Sequence, residues 1–167
     1  MSLIFRTATE EDLDAVMALY AAARAFMRAV GNPDQWPEGY PPRASVAEDI
    51  GRGIVYLAED DEGVAAVFSF AVTVEEPYER LLGTWLSEER PYGVLHRLAV
   101  ARRGGGIGSA CLGFALSRCT VLKIDTHEKN LPMQALLKKH GFTYCGVVDY
   151  GDDGTRIAFS RPGLLAT

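Results

Sequence analysis

Four of the six residues from Gly104 to Ser109 are glycine, and this cluster constrains the chain more than any other stretch. An apolar run ending Leu98-Ala99-Val100 precedes it. Ile107, Cys111, Phe114 and Ala115 follow at helical spacing. The order strand, glycine turn, helix lets backbone N–H groups crowd toward one point, where side chains would otherwise intrude. The positive end of the following helix faces the same point, which suits a phosphate or pyrophosphate. A flexible surface turn also uses glycines, but its place between a strand and an amphipathic helix favours binding. A Walker A loop needs Lys and Ser or Thr after its last glycine, whereas Ser109 and Ala110 follow Gly108. The dinucleotide pattern G-x-G-x-x-G fails as well, because Ser109 and Cys111 stand where its third glycine belongs.

The rest of the chain sets bounds on what surrounds this turn. Its 167 residues suit one domain, 1–167, whose folding buries roughly 70% of the unfolded surface. A net charge of −5 argues against broad capture of nucleic acid. Cys111, Cys119 and Cys145 are odd in number and lack C-x-x-C spacing, so a reducing, cytoplasmic setting is expected and no metal site is. Residues 1–6 lack the basic-then-apolar order of a signal peptide. The longest uncharged run, Gly104 to Ser117, is too short to span a bilayer, so no membrane partner is expected.

Periodicity and turn residues give the order β-α-α-β-β-β-α-β-α-β-β, an α/β layered domain with a mixed sheet. Leu3 to Thr7 reads as a strand and a helix follows from about Glu10, capped by Thr9. Ser45 is the expected cap of a short helix through Ile50. Strands are expected at Ile54–Ala58, Val64–Val72, Gly93–Val100 and Val121–Asp125. A helix over Pro132–His140 and a hairpin of Phe142–Asp149 with Thr155–Ser160 close the chain.

Arg103-x-x-Gly106-x-Gly108 after the strand ending Leu98-Ala99-Val100 resembles the coenzyme A pyrophosphate motif of the GNAT superfamily of N-acetyltransferases. Ile124-Asp125-Thr126-His127, Asn130, Met133 and Gly141-Phe142 resemble that superfamily's next strand and helix. The resemblance is strong from Tyr92 to Cys145 and only a general layout before Trp36. It implies the acyl-coenzyme A N-acyltransferase fold, a mixed central β-sheet flanked by helices, with acetyl-coenzyme A as cosubstrate. It further implies that Leu98, Ala99, Val100, Arg103, Gly104, Gly105, Gly106, Ile107, Gly108 and Ser109 hold that molecule. The Gly93–Val100 strand would splay from the Val121–Asp125 strand, and a backbone N–H near Leu98 would stabilise the oxyanion.

Acetyl transfer to an amine also needs the amine neutral when it attacks. His96 is the leading base candidate, with His127, Asp125 and Glu76 as alternatives and a merely packed histidine as the competing reading. Asn130 either caps the next helix or bonds to coenzyme A. Many GNAT enzymes carry a tyrosine acid seven residues after this asparagine; here the position is Leu137, and Tyr92 or Tyr144 are the substitutes. Trp36, Tyr40, Tyr78 and Trp85 fall in the two segments that GNAT domains place around the acceptor. They form either an aromatic pocket for an amine or a hydrophobic subcore. The expected function is acetyl transfer to a primary amine of a small molecule. A peptide or protein amine, a non-catalytic coenzyme A-binding module and a homodimer remain open.

Overall fold

The computed structural model describes residues 2–166. Its elements are β1 (Ile4–Thr7), α1 (Leu13–Ala29), α2 (Arg43–Gly51), β2 (Val55–Asp60), β3 (Gly63–Thr73), α3 (Glu76–Glu79), β4 (Leu82–Gly83), β5 (Tyr92–Val100), α4 (Ile107–Leu116), β6 (Val121–Thr126), α5 (Leu131–Lys139), β7 (Thr143–Asp149) and β8 (Thr155–Pro162). Short 3₁₀ turns occupy Glu10–Asp12 and Gly151–Asp153. The strands form a mixed sheet in the order β1-β2-β3-β5-β6-β8-β7-β4, with β5 and β6 parallel. No helix among the described residues is long and apolar enough to cross a membrane.

The expected order holds, with two additions. α3 is a four-residue helix opened by Pro77, too short for a periodic signal, and β4 has only two residues. Boundaries moved where local chemistry outweighed periodicity. Helix α1 starts at Leu13, because Asp12 closes a 3₁₀ turn on Thr9, accepting from its backbone N–H at 2.7 Å. Helix α2 starts at Arg43 rather than after Ser45. Pro42 stands at its N-cap, where a missing N–H costs nothing.

The chain divides into two compact units, residues 2–70 with Arg97–Cys111 and residues 71–96 with 112–166. In the first, the apolar stripe of α1 buries Val16, Tyr20 and Met27 in a core with Trp36, Val46, Ile50, Val55, Leu57, Val67 and Ala99. Arg6 ties this unit's start together by donating to Asp12 at 2.7 Å and to Glu59 at 2.8 Å. That pairing holds the Asp12 carboxyl well below the usual carboxylate range.

In the second unit, β6, β8 and β7 pair antiparallel, and Tyr78, Tyr92, Val94, Val121, Val148 and Ala158 form the core on one face. Gly93 permits the tight fit of β5 here: a Cβ would fall 2.6 Å from the Cys119 sulfur. Lys123 lies inside this apolar layer, 2% exposed, with its amine 3.7 Å from the Tyr92 ring centre and 4.6 Å from that of Trp85. Burial lowers its pKa to about 8, opposed by the charge of Glu79.

A lysine with a lowered pKa in the folded state releases its proton sooner than in the unfolded chain. Its contribution to stability is therefore fully present above about pH 10.5 and is lost as pH falls through about 8. Lys123→Met should stabilise the protein by about 2 kcal/mol at pH 7. The gap to the native protein should close as pH rises from 8 to 10.5, measured by urea unfolding. A gap independent of pH would mean that its aromatic surroundings leave the amine's pKa where it is in the unfolded chain.

Candidate active site

In the first unit, β5 carries Arg97 with φ +54°, a left-handed residue inside a strand. For an L-residue other than glycine this conformation costs about 1–2 kcal/mol, so its surroundings must hold it. They do. The Arg97 guanidinium donates to the Tyr40 hydroxyl at 3.1 Å and to Asp49 of α2 at 3.2 Å, and lies 5.2 Å from the Tyr40 ring centre. The regular alternation of the strand breaks at this residue, one position before the Leu98 amide.

The glycine turn comes next, with its flanks fixed and its middle open. Ala101 donates its N–H to the Ala65 carbonyl at 2.7 Å, and Arg102 is paired with Asp60. The Arg103 guanidinium rests 3.0 Å from the Phe26 ring centre. Gly104, Gly105 and Gly106 then take φ of +83°, +68° and +72° in succession. A Cβ at Gly104 or Gly106 would meet nothing within 4 Å, so it is the backbone, with open space above it, that demands glycine. Helix α4 begins directly, Ala110 donating to the Gly106 carbonyl at 2.9 Å. Consecutive left-handed residues followed by a helix N-terminus make a concave, positive backbone surface. These residues fit a pyrophosphate. Gly108 is different: it lies inside α4 and is not among the left-handed glycines.

In the second unit, the β5–β6 ladder comprises Gly93↔Leu122 and Val94↔Lys123, although β5 runs to Val100 and β6 to Thr126. His96 lies just past the last paired position. Its Nε2 is held by the Glu75 carboxylate at 2.9 and 3.0 Å, and its ring is 6.0 Å from that of Tyr78. Tyr78 is fully buried, and its hydroxyl donates to Asp125 Oδ2 at 2.8 Å. The Tyr150 hydroxyl donates to the same oxygen at 2.6 Å. Burial, then the Asp125 charge, pushes both phenols far above their ordinary pKa, so both remain donors.

The sequence matches no family model and no curated protein. The structure does find relatives. It is similar to the crystal structure of a GNAT-family acetyltransferase from Streptococcus agalactiae, with 32% identity and a TM-score of 0.90 over 98% of this chain and 96% of that one. The chain belongs to the GNAT family of acetyltransferases. Two further structures share the fold. A GNAT-family acetyltransferase from Listeria monocytogenes is 17% identical, with a TM-score of 0.70 over 96% of this chain and 94% of that one. A ribosomal-protein-alanine N-acetyltransferase from Brucella melitensis is 22% identical, with a TM-score of 0.65 over 95% and 99%.

The residues singled out in the sequence take varied places in this GNAT fold. Leu98, Ala99, Val100 and Arg103 to Ser109 fall on one continuous stretch of β5, turn and α4. Asn130 is the N-cap of α5, its Oδ1 accepting from the Met133 N–H at 3.2 Å. His127 bends the preceding loop by accepting from the Lys129 N–H at 3.1 Å. Glu76 is exposed and pairs with Arg80, while Leu137 is wholly buried. Among the substitute acids, Tyr92 donates to Glu79 at 3.0 Å with its pKa pushed up to about 12 by burial, and Tyr144 is exposed on β7.

The four aromatics separate. Trp36, 5% exposed, packs edge-on to Tyr20 in the first core, with Tyr40 beside it. Tyr78 packs with Trp85 in the second, the Trp85 indole donating to the Tyr78 carbonyl at 2.8 Å. Within each pair one ring, Trp36 or Tyr78, is core, and its neighbour, Tyr40 or Trp85, stays partly exposed. Sequence reasoning gave Arg97 and Tyr150 no part. No local pattern marks a left-handed arginine or a pairing across 21 residues.

The turn geometry gives a graded expectation. Gly104→Val and Gly106→Val should each destabilise the protein by about 1–2 kcal/mol through φ alone and strongly weaken binding of coenzyme A. Gly108→Ala, in helical conformation, should leave stability within about 1 kcal/mol of the native protein. Thermal unfolding with and without coenzyme A checks both. Equal, small effects at all three positions would place the phosphates elsewhere.

Proposed function

We propose that this chain is an N-acetyltransferase that takes the acetyl group of acetyl-coenzyme A and passes it to a primary amine of a small molecule. The observation that carries this reading is the run of three left-handed glycines at the start of α4, with open space over Gly104 and Gly106. Family membership supports a transferase, and the turn supports a pyrophosphate-bearing donor. In this reading the backbone from Gly104 to Ser109 holds the pyrophosphate. The bound molecule supplies an acetyl thioester.

The chain's own groups do the rest. The Leu98 amide, displaced from strand alternation by Arg97, donates to the carbonyl oxygen as charge develops there. His96 takes a proton from the incoming ammonium, leaving a neutral amine to attack. Because Nε2 carries the proton that bonds Glu75, the neutral ring bears its lone pair on Nδ1. Glu75 orients the ring and stabilises the imidazolium that forms, as a carboxylate does for histidine in hydrolase triads. As the C–N bond forms and the C–S bond breaks, a second amine proton leaves with the sulfur as coenzyme A thiol. That step needs no dedicated acid, in keeping with the apolar Leu137. Leu137 is also the one observation favouring a non-catalytic coenzyme A-binding module.

Acetyl-coenzyme A should raise the melting temperature by binding the native state. No shift at about millimolar ligand, hundreds of times a micromolar Kd, would remove the central claim. His96→Gln should lower thiol release with an amine acceptor by roughly 10²-fold and flatten the rise of rate with pH, since only the neutral ring accepts a proton. Glu75→Gln should shift that rise to lower pH, because the imidazolium loses its neighbouring charge. An unchanged pH profile in both variants, measured with one acceptor, would transfer the role of base away from His96. Binding without thiol release for any amine would favour the non-catalytic module.

A further inference from the structure

Asp125 is a half-buried carboxylate with an unusual set of partners. Both of its hydrogen bonds, from Tyr78 and Tyr150, fall on Oδ2, while Oδ1 has no partner among the described residues. No cationic nitrogen among those residues pairs with it. The same-face cation two positions earlier on β6, Lys123, is held against the rings of Tyr92 and Trp85 instead. Two phenols that stay protonated fix the carboxylate's orientation but do not neutralise it. A partly desolvated anion without a counter-charge costs free energy that a bound cation returns.

The surroundings specify that cation further. Tyr78 joins Asp125 to His96: its hydroxyl is on the carboxylate and its ring is against the imidazole. Trp85 and Tyr150, both partly exposed, add aromatic surface in the same unit. The second carboxylate there, Glu75, is engaged by His96 through both its oxygens. Asp125 Oδ1 is therefore the acceptor still open to an N–H donor.

We infer that Asp125 is the binding residue for the acceptor, and that the acceptor arrives as an ammonium ion attached to an apolar or aromatic body. This rests on the acetyltransferase reading and narrows its substrate class. Asp125 draws the charged amine to His96, which removes the proton before attack, so the carboxylate acts on recognition. Tyr78 and Tyr150 are positioning residues that keep Oδ2 occupied and Oδ1 presented.

The test uses 2-phenylethylamine and its neutral isostere 2-phenylethanol as probes. Each is titrated calorimetrically into the full chain saturated with coenzyme A at pH 7, for the native protein and Asp125→Asn. The native protein should bind the amine roughly 10- to 100-fold more tightly than the alcohol, the value of one charge-assisted hydrogen bond. In Asp125→Asn that preference should vanish while melting temperature and coenzyme A binding are kept, because an asparagine carbonyl still accepts from both tyrosines. Tyr150→Phe should reduce the preference without abolishing it. Equal binding of the two probes by the native protein, no binding of the amine, or a preference that survives in Asp125→Asn would overturn the inference. Failure of coenzyme A to bind the native protein would instead overturn the acetyltransferase reading on which it rests.

Discussion

Arg97 holds a backbone conformation that a strand residue avoids, and the contacts of its own side chain maintain it. The guanidinium reaches Asp49 on α2 and the Tyr40 hydroxyl, so a helix and a proline-bounded loop together fix φ at one residue of β5. The cost of about 1–2 kcal/mol falls on a single residue, and two charge-assisted bonds offset it. The next residues of the chain depend on that fixed bend: the Leu98 amide, the short run to Val100, and then the turn whose flanks Ala101 and Arg102 pin. Strain concentrated beside a candidate reaction centre, and overdetermined by ordinary contacts, is what a preorganised backbone donor requires.

The features that recur at short range were legible in the sequence. The spacing of Ile107, Cys111, Phe114 and Ala115 announced α4, and the glycine run between it and an apolar strand announced the turn. Asn130 was legible as either a helix cap or a coenzyme A contact, and the structure places it at the N-cap of α5. The features that depend on distance in the chain were not legible. Glu75 meets His96 across 21 residues and Tyr78 meets Asp125 across 47, and neither pairing leaves a trace in local spacing. Nor does any sequence rule separate Gly106, where φ demands glycine, from Gly108, where a helix accepts other residues.

The aromatic residues show why irregular segments resist reading. Trp36 and Tyr78 both lie in stretches without periodicity, and a large ring in such a stretch can serve a core or line a pocket. Each is buried, and each packs with a partner that is only partly so. A buried ring can hold a partly exposed neighbour in place, as Trp36 holds Tyr40 and Tyr78 holds Trp85. The polar tips obey the same logic. The Tyr78 ring belongs to the core, while its hydroxyl fixes the half-buried Asp125 carboxylate.

The three consecutive left-handed glycines carry a consequence for how this gene can vary. Any change at the first or second base of a glycine codon yields a stop or a residue bearing a Cβ, and at Gly104, Gly105 and Gly106 every such residue meets an unfavourable φ. The codons of this tract are thus open to silent change almost solely at their third positions. Drift that reshapes an acceptor pocket one residue at a time has no equivalent path through this loop. Variants of the gene that differ widely elsewhere should keep this short tract unchanged at the protein level, while at Gly108, two residues on, φ makes no such demand.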